Sequence, residues 1–118
     1  MSIVKRLIPY SGLKVLISGG AAGIGEVIAA AYLETGAKVH VCDVSEQAVA
    51  AFRERYPQAL ATQADVSNAA EVQRVFDLQR EWANGLDVLI NNAGIAGPTT
   101  GIEKITETEW EQSININL

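Results

Sequence analysis

Short apolar runs alternate with amphipathic segments along this chain, and glycine, proline or capping residues separate them. Four runs have the length and β-branched content of buried strands: KVLIS (14–18), KVHVCD (38–43), LATQAD (60–65) and LDVLIN (86–91). The third run is the most polar, so we expect it near an edge of the sheet.

The segments between these runs are predicted helices. In the first helix, at 24–36, apolar residues at helical spacing predict the buried face, and Gly36 is placed to end the helix. Those apolar residues are Ile24, Val27, Ile28 and Ala31. The second helix is predicted to begin after Ser45 as N-cap and to end at Tyr56, because a proline follows.

A third and a fourth helix follow the third and fourth strands. Ser67 is the predicted cap of the third helix, which Asn84–Gly85 closes. The last helix is predicted to open with a capping box formed by Thr106 and Glu109, and it runs to Leu118. The apolar face of the third helix consists of Val72, Val75, Phe76 and Trp82.

This alternation of strand and helix predicts an α/β fold with a parallel sheet and right-handed crossovers. A length of 118 residues suits one domain, at 1–118, and the chain shows no internal repeat or linker.

Composition narrows the classes of function. The net charge of −5 disfavours a nucleic-acid partner, and no apolar run is long enough to cross a membrane. Because Cys42 is the only cysteine, no internal disulfide forms, and a reducing, cytoplasmic location is expected. A single histidine beside a single cysteine makes a protein-built metal site unexpected.

A glycine-rich turn, SGGAAGIG (18–25), joins the first strand to the first helix. Its glycines at 19, 23 and 25 suit a tight turn with positive φ, close approach by a diphosphate, and free N–H groups at a helix N-terminus. The lysine and hydroxyl residue of a P-loop are missing, which disfavours an NTPase. A dinucleotide is therefore the expected ligand, whereas ordinary turn chemistry is the alternative.

Asp43 ends the second strand and follows Gly25 by 18 residues. A carboxylate at this place accepts both ribose hydroxyls of an adenosine and repels a 2′-phosphate. Because no lysine or arginine stands beside it, the sequence favours NAD over NADP. The alternative role of Asp43 is an N-cap for the following helix, which Ser45 also can provide.

Two further pairs of residues have structural interpretations. His40 and Cys42 alternate on one strand face, and we expect them to pack beneath a helix. Trp82 and Trp110 are expected on the core faces of their helices.

Taken together, these motifs resemble the short-chain dehydrogenase/reductase family, over nearly the whole chain. SGGAAGIG resembles the glycine motif of that family, with Ser18 where threonine is usual, and Asp43 matches its NAD-selecting acid. ADVS (64–67) resembles its adenine-contacting segment, and NNAG (91–94) its motif after the fourth strand. The resemblance implies a Rossmann-like doubly wound sheet, here truncated to about four strands in the order 3-2-1-4.

The resemblance also implies residue roles. Asp65 would reach the exocyclic amine of adenine, and the Val66 backbone would line the ring. The backbone of Asn91, Ala93 and Gly94 would close around the cofactor ribose. Within the glycine loop, the implied cofactor-binding residues are Gly19, Ala21, Ala22, Gly23, Ile24 and Gly25.

WEQSININL (110–118) resembles the segment that carries the active-site asparagine of the family. Asn115 and Asn117 are both candidates, and the usual spacing from Trp110 selects Asn117. A polar residue at the end of a helix is the alternative interpretation of either one.

The implied reaction is hydride transfer between a nicotinamide cofactor and an alcohol or carbonyl substrate, which needs a Tyr-x-x-x-Lys pair and a serine. The sequence has this spacing only at Tyr10 and Lys14, where Gly12 and Pro9 disfavour a helix and the strand entry lies opposite the cofactor edge. We therefore expect the N-terminal half of an oxidoreductase, inactive alone and self-associating through its fourth strand or last helix. A non-catalytic dinucleotide-binding or self-association module is the alternative, and a remnant that binds nothing is a third.

Overall fold

A computed structural model of the chain describes residues 12–94, 106–109, 111 and 114. The described strands form one parallel sheet in the order β3-β2-β1-β4, which confirms the α/β class and the predicted strand order. The strands are β1 (Lys14–Ser18), β2 (Lys38–Asp43), β3 (Leu60–Gln63) and β4 (Val88–Asn91). The helices between them are α1 (Gly23–Glu34), α2 (Glu46–Arg55) and α3 (Ala69–Ala83).

The core divides into two clusters of buried apolar residues, one on each face of the sheet. The larger cluster joins the sheet to α1 and α2 and includes Val15, Val39 and Phe52. The smaller cluster lies beneath α3 and consists of Leu16, Cys42, Ala64 and Val75. Side chains alternate between the two faces of β1 and β2, so these central strands are apolar on both faces, as their continuous apolar runs predicted.

The buried face predicted for α1 is correct only in part, because Ile28 packs against the larger core cluster whereas other residues of the predicted face do not. Ile24 and Val27 are 74% and 70% exposed, whereas the buried residues of α1 are Gly25 and Ala29. These small residues let the helix axis approach the sheet closely, and the side chains of Ile24 and Val27 face outward. The sequence pattern showed apolar periodicity but not which side of it faced the sheet.

The predicted cap of α3 is also wrong by one residue. Asn68 is the N-cap, and its side chain accepts a hydrogen bond from Glu71 N at 3.1 Å. Ser67 instead donates to Asp65, so its hydroxyl serves the preceding loop. The other caps were predicted correctly: Ser45 accepts from Ala48 N, and Asn84 closes α3 in the left-handed conformation.

Two other boundaries differ slightly from the prediction. The third and fourth strands are shorter than their apolar runs, because pairing of β3 ends at Gln63 and pairing of β4 begins at Val88.

In the last predicted helix, residues 107–109, 111 and 114 are helical, and Glu109 N donates to Thr106 Oγ1 at 3.1 Å. Trp110 lies outside the described residues.

His40 and Cys42 are both buried on the face of β2 beneath α3, as predicted. Burial raises the pKa of the Cys42 thiol to about 11, with the nearby Asp43 charge as a smaller cause. Such a thiol is protonated at neutral pH, which is consistent with a packing role. Trp82 is partly buried, and Lys38 Nζ lies 4.6 Å from its ring centroid.

Candidate functional site

The chain segments that follow the four strands meet at one edge of the sheet, where the carboxyl ends of all parallel strands lie. They are the turn from β1 to α1, the end of β2, the loop after β3 and the residues after β4. The glycine turn, Asp43, ADVS (64–67) and NNAG (91–94) fall in these segments, so the fold brings them to a common edge.

The glycine turn after β1 is tightly packed around Gly19 and Gly25. A Cβ on Gly25 would lie 2.2 Å from Gly19 O, and a Cβ on Gly19 would lie 3.0 Å from Ala93 Cα. Gly19 also has a φ of +63°, which glycine adopts without strain. Glycine at 19 and 25 thus serves the packing of the turn against α1 and the β4 loop.

Gly23 differs from the other two glycines, because it faces open space. Its φ is +59°, and a Cβ there would meet no atom within 4 Å. Ala22, the N-cap of α1, offers no side-chain hydrogen bond to the helix, and both residues are exposed. The N-terminus of α1 therefore presents backbone N–H groups and the positive end of the helix dipole to an accessible space, which suits an anionic diphosphate.

Two neighbours in this turn were named in the sequence as candidate contacts. Ala21 is fully buried and donates its backbone N–H to Asp43. Ile24 stands exposed on the first turn of α1, where a bound ligand would find an apolar side chain.

Asp43 links the glycine turn to the end of β2. Its Oδ2 accepts from Ala21 N at 3.3 Å, and its Oδ1 accepts from Ser45 N at 3.1 Å. Because Ser45 caps α2 with its own hydroxyl, the alternative role of Asp43 as the N-cap is not used. The Asp43 carboxylate is instead held beside the glycine turn and remains partly exposed.

Asp65 and Val66 follow β3 and face the same edge. Ser67 donates to Asp65 Oδ1 from its hydroxyl at 2.7 Å and from its backbone N–H at 2.9 Å. These two hydrogen bonds hold the pKa of the Asp65 carboxyl below its ordinary value, and the bond from the Ser67 hydroxyl has the larger effect. Val66 packs partly against the cluster beneath α3, which fixes the path of the backbone here.

The residues after β4 are joined to the glycine turn by two side chains that sequence reasoning did not assign to the site. Ser18 Oγ accepts from Asn92 N and from Ala93 N, both at 3.1 Å. Asn92 Nδ2 donates to Gly19 O at 3.0 Å. The available sequence signals were that Ser18 is a polar residue at the end of a strand and that Asn92 is the second asparagine of NNAG.

Other named candidates have different places. Asn91 ends β4 with an exposed side chain, and Gly94 is exposed at the end of the described segment. Lys14 begins β1 at the opposite end of the sheet, where its Nζ donates to Asn84 O at 3.1 Å. Tyr10, Asn115 and Asn117 lie outside the described residues.

Within the described ranges, no group of three or more histidine, cysteine, aspartate or glutamate residues is arranged to hold a metal ion. In the same part of the chain, no helix has the length and apolar character needed to cross a membrane.

Comparisons with known proteins agree with this geometry. Residues 13–118 match the family model described as short chain dehydrogenase. A short chain dehydrogenase/reductase, dpfgG of Gibberella zeae, is 35% identical over 122 residues, which covers 100% of this chain and 45% of that protein. Levodione reductase of Leifsonia aquatica is 37% identical over 110 residues, covering 88% of this chain and 41% of that protein.

Solved structures are similar over most of the chain. The 3-ketoacyl-(acyl-carrier-protein) reductase of Brucella melitensis, complexed with NADH, superposes with a TM-score of 0.86 at 28% identity. A crystal structure of levodione reductase superposes with a TM-score of 0.83 at 35% identity. In both cases the match covers 92% of this chain and 45% of the other chain, so the sequence spans about half the length of these relatives.

Proposed function

The chain belongs to the short chain dehydrogenase family, and on that premise we propose that it forms the cofactor-binding half of an NAD-dependent oxidoreductase. The bound nicotinamide would supply hydride transfer to or from an alcohol or carbonyl carbon. The chain's own described residues bind and orient the adenosine and diphosphate parts of that cofactor. The observation that carries the proposal is the carboxylate of Asp43, which is fixed beside the open N-terminus of α1.

The diphosphate is assigned to the N-terminus of α1. The open space at Gly23 and the uncapped backbone N–H groups after Ala22 support this assignment. Gly19 and Gly25 keep the turn compact, Ala21 anchors it to Asp43, and Ile24 offers an apolar contact. The relative from Brucella melitensis was solved with NADH, which is consistent with this class of ligand.

The adenosine is assigned to the ends of β2 and β3. Asp43 would accept the ribose hydroxyls, and its charge would repel the 2′-phosphate of NADP. Asp65 and Val66 would contact the adenine. Asn91, Ala93 and Gly94 would line the far side of the cofactor, on backbone that Ser18 holds next to the glycine turn.

The chemistry itself is assigned to a longer protein. Asn117 is the proposed active-site asparagine, while the only Tyr-x-x-x-Lys in the sequence begins at Tyr10. Lys14 lies at the sheet end opposite the cofactor loops and is engaged by Asn84. We therefore expect the 118-residue polypeptide to bind cofactor without turnover. A cytoplasmic location and a homo-oligomeric assembly complete the proposal, the first supported by the single, buried thiol of Cys42.

The test is a fluorescence titration of the polypeptide with NADH and with NADPH. The wild-type chain should bind NADH more tightly, and Asp43→Asn should reduce the ratio of the two affinities by about tenfold, because the substitution removes the charge that repels the 2′-phosphate. Glu46→Gln is the matched control, since it removes an exposed acid from the nearby first turn of α2 and should leave the ratio unchanged. Saturation by neither nucleotide would contradict the proposal.

A further inference from the structure

The loop after β3 is fixed in its orientation by a set of hydrogen bonds centred on Asp65. Asp65 N donates to Glu71 Oε1 at 3.2 Å, and Asp65 O accepts from Asn68 N at 3.1 Å. Ser67 holds Oδ1 through the two bonds described above. Asp65 therefore forms hydrogen bonds through its backbone N–H, its backbone carbonyl and one of its carboxylate oxygens.

Glu71 is the member of this set that comes from outside the loop. It lies in the first turn of α3, where its backbone N donates to Asn68 Oδ1 at 3.1 Å. Its Oε1 lies 3.9 Å from Arg74 Nη2, and Arg74 in turn donates to Gln63 O at 2.7 Å. Arg74 therefore joins the start of α3 to the end of β3, and Glu71 joins the same turn of α3 to the backbone of Asp65.

The second carboxylate oxygen of Asp65 has a different environment. Among the residues that the structure describes, Oδ2 accepts no hydrogen bond, whereas Oδ1 accepts two from Ser67. The bonds to Ser67 also favour the ionised form of the carboxyl, so Oδ2 is an anionic acceptor of fixed direction. An acceptor of this kind suits a ligand that donates an N–H group.

We propose that Glu71 is a positioning residue for adenine recognition, which acts by holding the Asp65 backbone so that Oδ2 points at the exocyclic amine. The inference rests on the proposed function and deepens it, because it assigns selectivity for the base to a residue that does not touch the base. The Glu71 side chain does more than support the N-terminus of α3, because it accepts a hydrogen bond from the backbone N–H of Asp65.

The test compares NADH with reduced nicotinamide hypoxanthine dinucleotide, in which a carbonyl oxygen replaces the exocyclic amine. The oxygen cannot donate to Asp65, so the wild-type chain should bind NADH about tenfold more tightly, the usual effect of one hydrogen bond to a charged group. Glu71→Ala should remove most of this preference. Glu71→Gln should retain it, because the amide oxygen still accepts from Asp65 N.

Asp77→Asn is the matched control, because Asp77 lies exposed on α3 and, among the described residues, bonds to Gln73 and Arg80 of the same helix. It should leave the preference for NADH intact. Thermal unfolding of each variant separates a loss of stability from a loss of recognition, since weaker folding lowers both affinities by the same factor.

The possible outcomes are distinct. If Glu71→Ala weakens both dinucleotides equally, Glu71 is merely structural and the inference is overturned while the proposed function stands. If the wild-type chain binds NADH but does not distinguish the two bases, the assignment of Oδ2 to the amine is wrong. If the wild-type chain binds neither dinucleotide, the proposed function fails and the inference fails with it.

Discussion

At the residue scale, His40 shows how this fold accommodates a polar group in its core. Its side chain is 0% exposed, yet both ring nitrogens are bonded, Nδ1 to Gln79 Oε1 at 3.0 Å and Nε2 to Thr62 Oγ1 at 2.8 Å. Since Gln79 Oε1 only accepts, Nδ1 carries the proton, and Nε2 accepts from the threonine hydroxyl. The Trp82 ring meets His40 edge-on, and Lys38 Nζ lies 4.6 Å from the centroid of that ring.

This arrangement predicts a pH-dependent stability. Burial lowers the pKa of His40 from 6.5 to about 4, and the hydrogen bond that His40 donates to Gln79 opposes the shift only in part. Between these two pH values the unfolded chain binds a proton that the folded chain does not, so the free energy of unfolding falls as the pH drops. The full effect is about 3 kcal/mol, measurable by urea unfolding at a series of pH values.

The control for this prediction is His40→Gln, which keeps a polar side chain but does not titrate. Its free energy of unfolding should vary less between pH 6.5 and pH 4 than that of the wild-type chain. Asp65 affects stability in a lower pH range than His40. Because its pKa is lowered in the folded chain, its contribution to the free energy of unfolding is lost only when the pH falls below the ordinary aspartate range. Parallel pH profiles for wild type and His40→Gln would contradict the interpretation.

The candidate site was predictable from sequence only in part. Asp43 was singled out because its place at the end of the second strand, 18 residues after Gly25 and with no lysine or arginine beside it, can be read from the sequence alone. The roles of Ser18 and Asn92 depend on the adjacency of β1 and β4, which lie more than 70 residues apart in the chain. Sequence periodicity carries no information about a contact between loops at such separation, so these tethers required the structure.

At the element scale, β3 lies at one edge of the described sheet and has polar partners on its outer side. Ala64 N bonds to Asp43 O, and backbone alternation therefore turns the carbonyls of Ala61 and Gln63 away from β2. Arg53 donates to Ala61 O from Nε and Nη2, at 3.2 and 2.7 Å, and Arg74 donates to Gln63 O. Arginines from opposite faces of the sheet thus occupy the acceptors of the edge, which protects it from pairing with another strand.

Replacement of Arg53 tests this role. Arg53→Met keeps the aliphatic stem but leaves Ala61 O without its charged donor, and the free energy of unfolding should fall by about 1 kcal/mol. The loss should be local, so hydrogen exchange at Ala64 N should accelerate more than exchange in β1. Arg80→Met is the control, because Arg80 forms an exposed ion pair with Asp77 on α3, and such pairs contribute less than about 1 kcal/mol. Equal losses for the two variants would argue against a special role for the β3 edge.

The elements themselves were predicted well, and the errors have specific causes. The alternation of apolar runs and helices fixes the class of fold, because few other arrangements bury such runs on both faces. Asn68 rather than Ser67 caps α3 because the Ser67 hydroxyl donates to Asp65 in the preceding loop, and the Asn68 side chain accepts from the helix. The outward turn of Ile24 follows from the tight contact at Gly25, which apolar periodicity does not register.

At the scale of the whole molecule, the two edges of the described sheet differ in character. Arginines cover the carbonyls of β3, whereas β4 pairs only with β1 among the described strands. Leu89 of β4 is 45% exposed, and Leu86 just before the strand is exposed as well. A strand edge that has no partner among the described residues, beside exposed leucines, is typical of a surface that associates with another strand or chain.

This asymmetry leads us to expect that the 118-residue polypeptide associates with itself through β4. Sedimentation velocity over a range of concentrations should show a reversible shift from monomer to larger species. Leu89→Lys should reduce the association, because it places a charge on the exposed side of β4. Gln73→Lys adds the same charge to the exposed surface of α3 and should leave the association unchanged. A sedimentation coefficient that is independent of concentration in the wild-type chain, or equal effects of the two lysines, would exclude β4 as the contact.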